Sequence, residues 1–188
     1  ATAESAAAFL QAITPILAAD CLASLLIQFP HGFDRTLAHR QYLANLVSWF
    51  AGLPIAIEFR HESWHIAQVY ASFSQQGLSW CSVDYPDIAG LPPSRLIFTN
   101  RTGYLRLHGK NVNWWDAHSA AERHDYRYND TEMQAWAQTI ANQKNHFDQL
   151  YIFFENTVKG HAVYNIATLA RALAQLDMPV HKIDILKT

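Results

Sequence analysis

The sequence predicts an α/β fold built on a mainly parallel sheet, and three observations carry that expectation. Five apolar, β-branched or aromatic runs end on polar or ionisable residues: Leu25–Gln28, Ile55–His61, Trp80–Asp84, Tyr104–His108 and Tyr151–Asn156. Segments with apolar residues at helical spacing separate them. Such alternation calls for parallel strands joined by right-handed crossovers, and no low-complexity linker interrupts it, so residues 1–188 read as one domain. In repeated β/α folds the side chains at strand C-terminal ends converge on one crevice. That rule makes Glu58, Arg60, His61, Asp84, Arg106, His108, Glu155 and Asn156 the candidate site.

Taken in order, the chain opens on a helix over Ala3–Ala19, with Phe9, Ile13, Ile16 and Leu17 on one side. The first strand ends at Gln28, and Phe29-Pro30-His31-Gly32 breaks regular structure before Asp34 caps a second helix whose apolar face includes Leu43, Leu46 and Phe50. Gly52 and Pro54 stop that helix and introduce the second strand. A third helix over His65–Gln76 stops at Gly77, and the strand Ser79–Asp84 follows. Pro86, Pro92 and Pro93 then break the rhythm until the strand ending at His108. Lys110–Asn129 is a long polar loop rich in aromatic residues, a length often met in lids. Thr131 and Gln134 match a capping box for a fourth helix; a strand over Leu150–Phe154 and a helix over His161–Leu176 close the series.

Composition narrows the function classes. With 50% hydrophobic and 16% charged residues the chain is an ordinary globular domain, and a net charge of -2 gives no general attraction to polyphosphate, which disfavours nucleic acid as a partner. No apolar stretch approaches the roughly 20 residues of a membrane span, and the Ala-rich start lacks a basic region, so no membrane role and a cytoplasmic location are expected. Cys21 and Cys81 sit among apolar residues and fit two buried thiols in a reducing compartment better than a disulfide.

The sharpest motif is Glu58-Phe59-Arg60-His61-Glu62-Ser63-Trp64. Charged groups after Ile55-Ala56-Ile57 are costly to bury unless paired. Glu58 and Arg60 share a strand face, and with Asp84 and Arg106 they form either a self-neutralised network or a clamp for an anionic or hydroxylated ligand. His61-Glu62-Ser63-Trp64-His65 also spells H-E-x-x-H, but it straddles a strand end, so the two histidines would not face one zinc ion. Tyr104, Arg106 and His108 share one face of their strand, where His108 is either a satisfied structural residue or a general acid or base. Asn156 either orients a ligand or caps the last helix. Trp114, Trp115, Tyr126 and Tyr128 can stack on sugars or bases, though folding back as a plug avoids an exposed apolar patch. A divalent metal held by Glu58, Asp84, His108 and Glu155 is conceivable, but no close-spaced ligand cluster demands it, and no cofactor is expected.

These motifs together, with Gln28-Phe29-Pro30, Tyr104-x-Arg106-x-His108-Gly109, Tyr126-x-Tyr128, Trp136, Phe153-Phe154-Glu155-Asn156, Gly160-x-Ala162 and Asn165, resemble the YecE-like family of uncharacterised proteins, number seventy-two among the domains of unknown function. The resemblance runs from about Gln28 to the C-terminus and implies a TIM-type (β/α) barrel with a polar pocket at the strand C-terminal ends and no established activity. Family members open with strands that this sequence lacks, and its 188 residues fall below the roughly 200 to 400 of a complete barrel, so an incomplete barrel, the C-terminal part of the domain, is expected. Exposed sheet edges would then favour a homodimer. Glu155 departs from the asparagine common at that position, making this edge of the site more acidic.

The functional expectation is a pocket for a small anionic or hydroxylated molecule, with Arg60 and Arg106 as its cations. Glu58 or Asp84 would be a base, His108 a proton shuttle and Asn156 an orienter, with His61, Trp64 and Tyr104 as further ligand contacts. The alternatives are a non-catalytic nucleic-acid or sugar binding module and, by fold analogy alone, a metal-dependent phosphodiesterase.

Overall fold

A computed structural model describes residues 1–180. The chain runs α1 (Ala3–Ala12), α2 (Thr14–Ala18), β1 (Leu25–Phe29), α3 (Leu37–Trp49), β2 (Ile55–Phe59), α4 (Ala67–Gln76), β3 (Ser79–Asp84), β4 (Thr102–Leu107), α5 (Ala120–Arg123), α6 (Asp130–Asn142), β5 (Gln149–Phe154) and α7 (His161–Ala174). The strands form one parallel sheet in the order β1-β2-β3-β4-β5. Each connection steps one strand in the same direction, and α3, α4, α6 and α7 pack on one side of the sheet, as right-handed crossovers require. Among the described residues the sheet is open, with β1 and β5 at its edges.

Side-chain alternation divides the two faces cleanly. Phe29, Ile57, Phe59 and Trp80 pack with Leu43, Leu46, Val69 and Phe73 of α3 and α4. Leu105, Leu107 and Phe154 pack with Met133, Trp136 and Ile140 of α6 and Leu169 and Leu173 of α7. On the other face Ala56, Cys81, Val83 and Tyr104 are covered by Tyr85, Leu91 and Trp114, which belong to loops. β2 and β3 are buried at every position, as expected for central strands of a parallel sheet.

Several local expectations shift. The first helix is broken at Thr14-Pro15, since proline fits the first turn of a helix and not its interior. Thr36, not Asp34, caps α3, and Asp34 instead holds the His39 ring at 3.0 Å. The third helix divides into a short turn over Glu62–Trp64 and α4, because His65 leaves helical geometry. The capping box of α6 is Asn129 with Glu132, two residues ahead of Thr131 and Gln134. Gly77 ends α4 in the left-handed region, as expected. Cys81 is buried but Cys21 is exposed, and both are free thiols. No helix among the described residues is long and apolar enough to cross a membrane.

Candidate functional site

Glu58 is the hub of the loop-covered face. It lies at the C-terminal end of β2, fully buried, where a bare carboxylate would be prohibitive. Donors from three other elements surround it. Tyr85 Oη donates to Oε1 at 2.9 Å, Arg60 Nε donates to Oε1 at 3.3 Å, and Arg106 Nη1 pairs with Oε2. His108 Nε2 lies 3.2 Å from Oε1. Arg106 extends the network: Nη1 also donates to Gln28 Oε1 at 2.7 Å, and Nη2 lies 2.6 Å from Glu155 Oε1. Arg60 Nη2 donates to the same Gln28 oxygen at 3.2 Å. The strand ends of β1, β2, β4 and β5 are thereby tied into one polar ladder.

Two guanidinium groups and two carboxylates make the ladder electrically balanced. Burial acts to raise the Glu58 pKa, but His108 and Arg106 outweigh it and hold the carboxyl well below the usual carboxylate range. For Arg106, burial acts the other way and is again outweighed, here by Glu58 and Glu155, so its charge is locked in place. Burial pushes His108 toward the neutral imidazole, against the pull of Glu58, and both guanidinium groups reinforce that direction. Its contact with Glu58 is therefore one of a neutral ring near an anion. The exposure gradient decides what a ligand would meet: side chains of Glu58 and His108 are 0% exposed, against 23% for Arg60 and 31% for Glu155.

The rim is aromatic and imidazole-rich. His108 stacks on Tyr85 with ring centres 4.4 Å apart, and Trp114 closes over both as a buried plug. His124 Nδ1 donates to the His108 carbonyl at 2.8 Å. Trp115, 48% exposed, stands edge-on to His31 at 4.7 Å, and His31 faces His61 at 5.0 Å. Within the aromatic loop Trp114 is thus the plug, while Trp115 keeps an exposed face beside His31.

The structure brings Glu58, Arg60, Arg106, His108 and Glu155 together, keeps Tyr104 on the same face and His61 at the rim, and places Asp84, Trp64 and Asn156 elsewhere. Asp84 is on the opposite face, aligned with Leu107, where its Oδ2 accepts from Trp136 Nε1 at 3.2 Å. Strand alternation explains this: Trp80, Ser82 and Asp84 share a side, and Trp80 lies in the helix-side core. Trp64 also belongs to that core, stacked on Phe59 with Nε1 donating to the Phe33 carbonyl at 2.7 Å. Tyr104 lies on the loop-covered face, stacked on Phe153, and burial raises its pKa to about 12. His61 sits at the rim and accepts from Ser63 N at 3.1 Å, capping the short turn. His65 closes that turn and packs edge-on against Trp80, so the H-E-x-x-H pair serves two local tasks. Asn156 is a clasp: Nδ2 donates to the Tyr126 carbonyl and to Asn165 Oδ1 at 2.8 and 2.9 Å. Asn165 in turn bonds both backbone groups of Tyr128, whose hydroxyl accepts from Gly109 N.

Tyr85, Gln28 and His124 join the site without having been singled out for it. Tyr85 was legible, since it continues the parity of Cys81 and Val83, but the proline that follows it masks the strand signal. His124 comes from within the long loop and had no positional signal. With Asp84 turned away, Glu58, Asp84, His108 and Glu155 do not converge, and no group of three His, Cys, Asp or Glu among the described residues is arranged to hold a metal ion.

Comparison with known proteins gives a consistent picture. Residues 1–183 match the family described as "Protein of unknown function DUF72", so the match includes the helices ahead of Gln28. The UPF0759 protein YunF of Bacillus subtilis (strain 168) is 30% identical over 169 residues, which are 84% of this chain and 60% of that protein. A crystal structure of a DUF72 family protein from Thermotoga maritima superposes with a TM-score of 0.86 at 31% identity, covering 91% of this chain and 65% of that one. One from Enterococcus faecalis gives 0.88 at 26% identity, covering all of this chain and 70% of that one. The chain therefore spans less than two thirds of the length of the Bacillus and Thermotoga relatives.

Proposed function

We propose, from the premise that this chain belongs to the DUF72 family of proteins of unknown function, that its polar strand ends bind a small hydroxylated or anionic molecule. The observation that supports this best is the contrast between a buried anchor and a partly exposed pair of opposite charges. Glu58 fixes both arginines from below, while Arg60 and Glu155 reach the surface. Pre-positioned charges of both signs suit a ligand that offers acceptors to Arg60 and Arg106 and a hydroxyl to Glu155. Glu58 serves as anchor and not as base, because a carboxylate this strongly paired has little affinity for a proton. His108, neutral and without an aligned hydrogen bond at either nitrogen, is the group able to relay a proton if chemistry follows binding.

The sequential parallel order, the helices on one side and the polar groups at the strand C-terminal ends are features of a sector of a TIM-type (β/α) barrel, and we take the sheet as such a sector. A sugar is the hydroxylated ligand the rim favours, since Trp115 offers an exposed face beside His31 and His61.

The test is a thermal-shift and calorimetric screen of monosaccharides, polyols and small carboxylates against the chain and its Arg60→Leu variant. Arg60 is at the surface, so the variant should fold, and every hit at this site should lose affinity by about tenfold or more. Hits that ignore the substitution would overturn the assignment.

A further inference from the structure

We propose that a second ligand site lies on the helix side of the sheet and takes a small zwitterion, its protonated amine at Asp84 and its carboxylate at Arg95. The place is a cavity of about 670 Å³ lined by Asp84 at the end of β3, Arg95 and Ile97 of the connection to β4, Lys110, and Glu132 and Trp136 of α6. It is independent of the Glu58 ladder, which lies on the opposite face of the sheet.

The floor lacks one donor. Asp84 is fully buried; Oδ2 accepts from Trp136 Nε1 and the Tyr128 hydroxyl lies against the carboxyl group, but Oδ1 is buried with no aligned hydrogen-bond partner. Lys110 Nζ stands 3.6 Å from that oxygen and 3.9 Å from Glu132 Oε1, too far for a hydrogen bond to either. Glu132 is held where it is, accepting from Tyr126 Oη at 2.7 Å and from Asn129 N at 2.9 Å in the capping box. A buried carboxylate oxygen left without a donor is costly, and an arriving N–H restores what is missing. Two carboxylates against one ammonium leave the floor negative, which selects a protonated amine over a neutral hydroxyl.

The mouth has the opposite character. Arg95 is exposed and has no carboxylate partner among the described residues. Between mouth and floor Leu96, Ile97, Ala135 and Trp136 give the walls apolar surface that suits a methylene chain, beside Tyr70, Ser94, Thr139 and Gln143. Cationic mouth, apolar shaft and acidic floor together describe an ω-amino acid.

Calorimetric titration of the 188-residue chain with the ω-amino acids from glycine to 6-aminohexanoate tests this. One chain length should bind best, and the alkylamine and alkanoate of the same length should each bind about tenfold more weakly or worse. Arg95→Gln should abolish the advantage of the amino acid over the alkylamine. Lys110→Met, which removes the competing ammonium, should tighten binding, whereas Asp84→Asn should weaken it by about tenfold or more. Arg60→Leu, which weakens binding at the ladder, should leave the affinity for the best ω-amino acid unaltered, which separates the two sites. Absence of saturable heat at every chain length, affinities untouched by Arg95→Gln, or weaker binding in Lys110→Met would each overturn the proposal.

Discussion

At the scale of single residues, Glu58 carries the most. It is the common acceptor for Arg60, Arg106 and Tyr85, so neutralising it strands buried donors and a buried cation. Glu58→Gln should therefore cost about 3 to 5 kcal/mol, the range for breaking a buried ion pair from one side, read as a lower midpoint in urea unfolding. A loss under about 1 kcal/mol, the value of an exposed pair, would show that the ladder adds little. His65 supplies a pH signature. Burial, with Arg95 adding to it, lowers its pKa to about 4, and neither ring nitrogen has a hydrogen-bond partner. Between pH 6.5 and about 4 the unfolded chain holds this proton and the folded chain does not. Stability should thus rise with pH across that window and fall as pH drops, by at most about 1.4 kcal/mol per pH unit. His65→Phe should flatten the curve between those limits, while the loss from Glu58, whose pKa is lowered, should persist at more acidic pH. An unchanged slope in the variant would remove His65 as its cause.

At the scale of elements, the connections after β3 and β4 decide the site as much as the strands do. Gly109 adopts φ +91°, and a Cβ there would lie 2.8 Å from the Cβ of Tyr126. Gly109→Ala should cost about 2 to 3 kcal/mol from backbone strain and crowding together, and should loosen the segment that Asn156 and Asn165 hold in place. Faster amide exchange at Tyr126 and Tyr128 in the variant, compared with residues of α3, is the check. Sequence patterns located these elements well because apolar runs and glycine or proline stops are local properties: Ser79–Asp84 and the stop at Gly77 are read directly from the chain. Helix starts were less legible. Asn129 and Thr131 both precede plausible partners at the correct spacing, and only the packing of Met133, Trp136 and Ile140 on the sheet selects the first.

At the scale of the whole molecule, the open sheet leaves β1 and β5 each paired on one side among the described residues, and Phe153 on β5 is 42% exposed. Edges of that kind recruit other edges. Light scattering of the 188-residue chain should give a mass above the 21.4 kDa of a monomer, and Phe153→Lys should return it toward that value. A monomeric parent chain would refute self-association through this edge.

The sequence by itself determined the order of strands and helices, the family, and the side-chain sets that share a strand face, because all of these depend on short-range periodicity and recognisable motifs. It placed Tyr104, Arg106 and His108 on one face correctly. Only the tertiary structure decided which sets look onto the same space. For strands buried on both sides, such as β2 and β3, polarity does not say which face meets the helices. Glu58 and Asp84 are both fully buried carboxylic side chains, yet the register that sets Val83 beside Arg106 turns one toward the ladder and the other toward the cavity under α6. That separation is a matter of pairing between distant segments, and no local pattern in either strand encodes it.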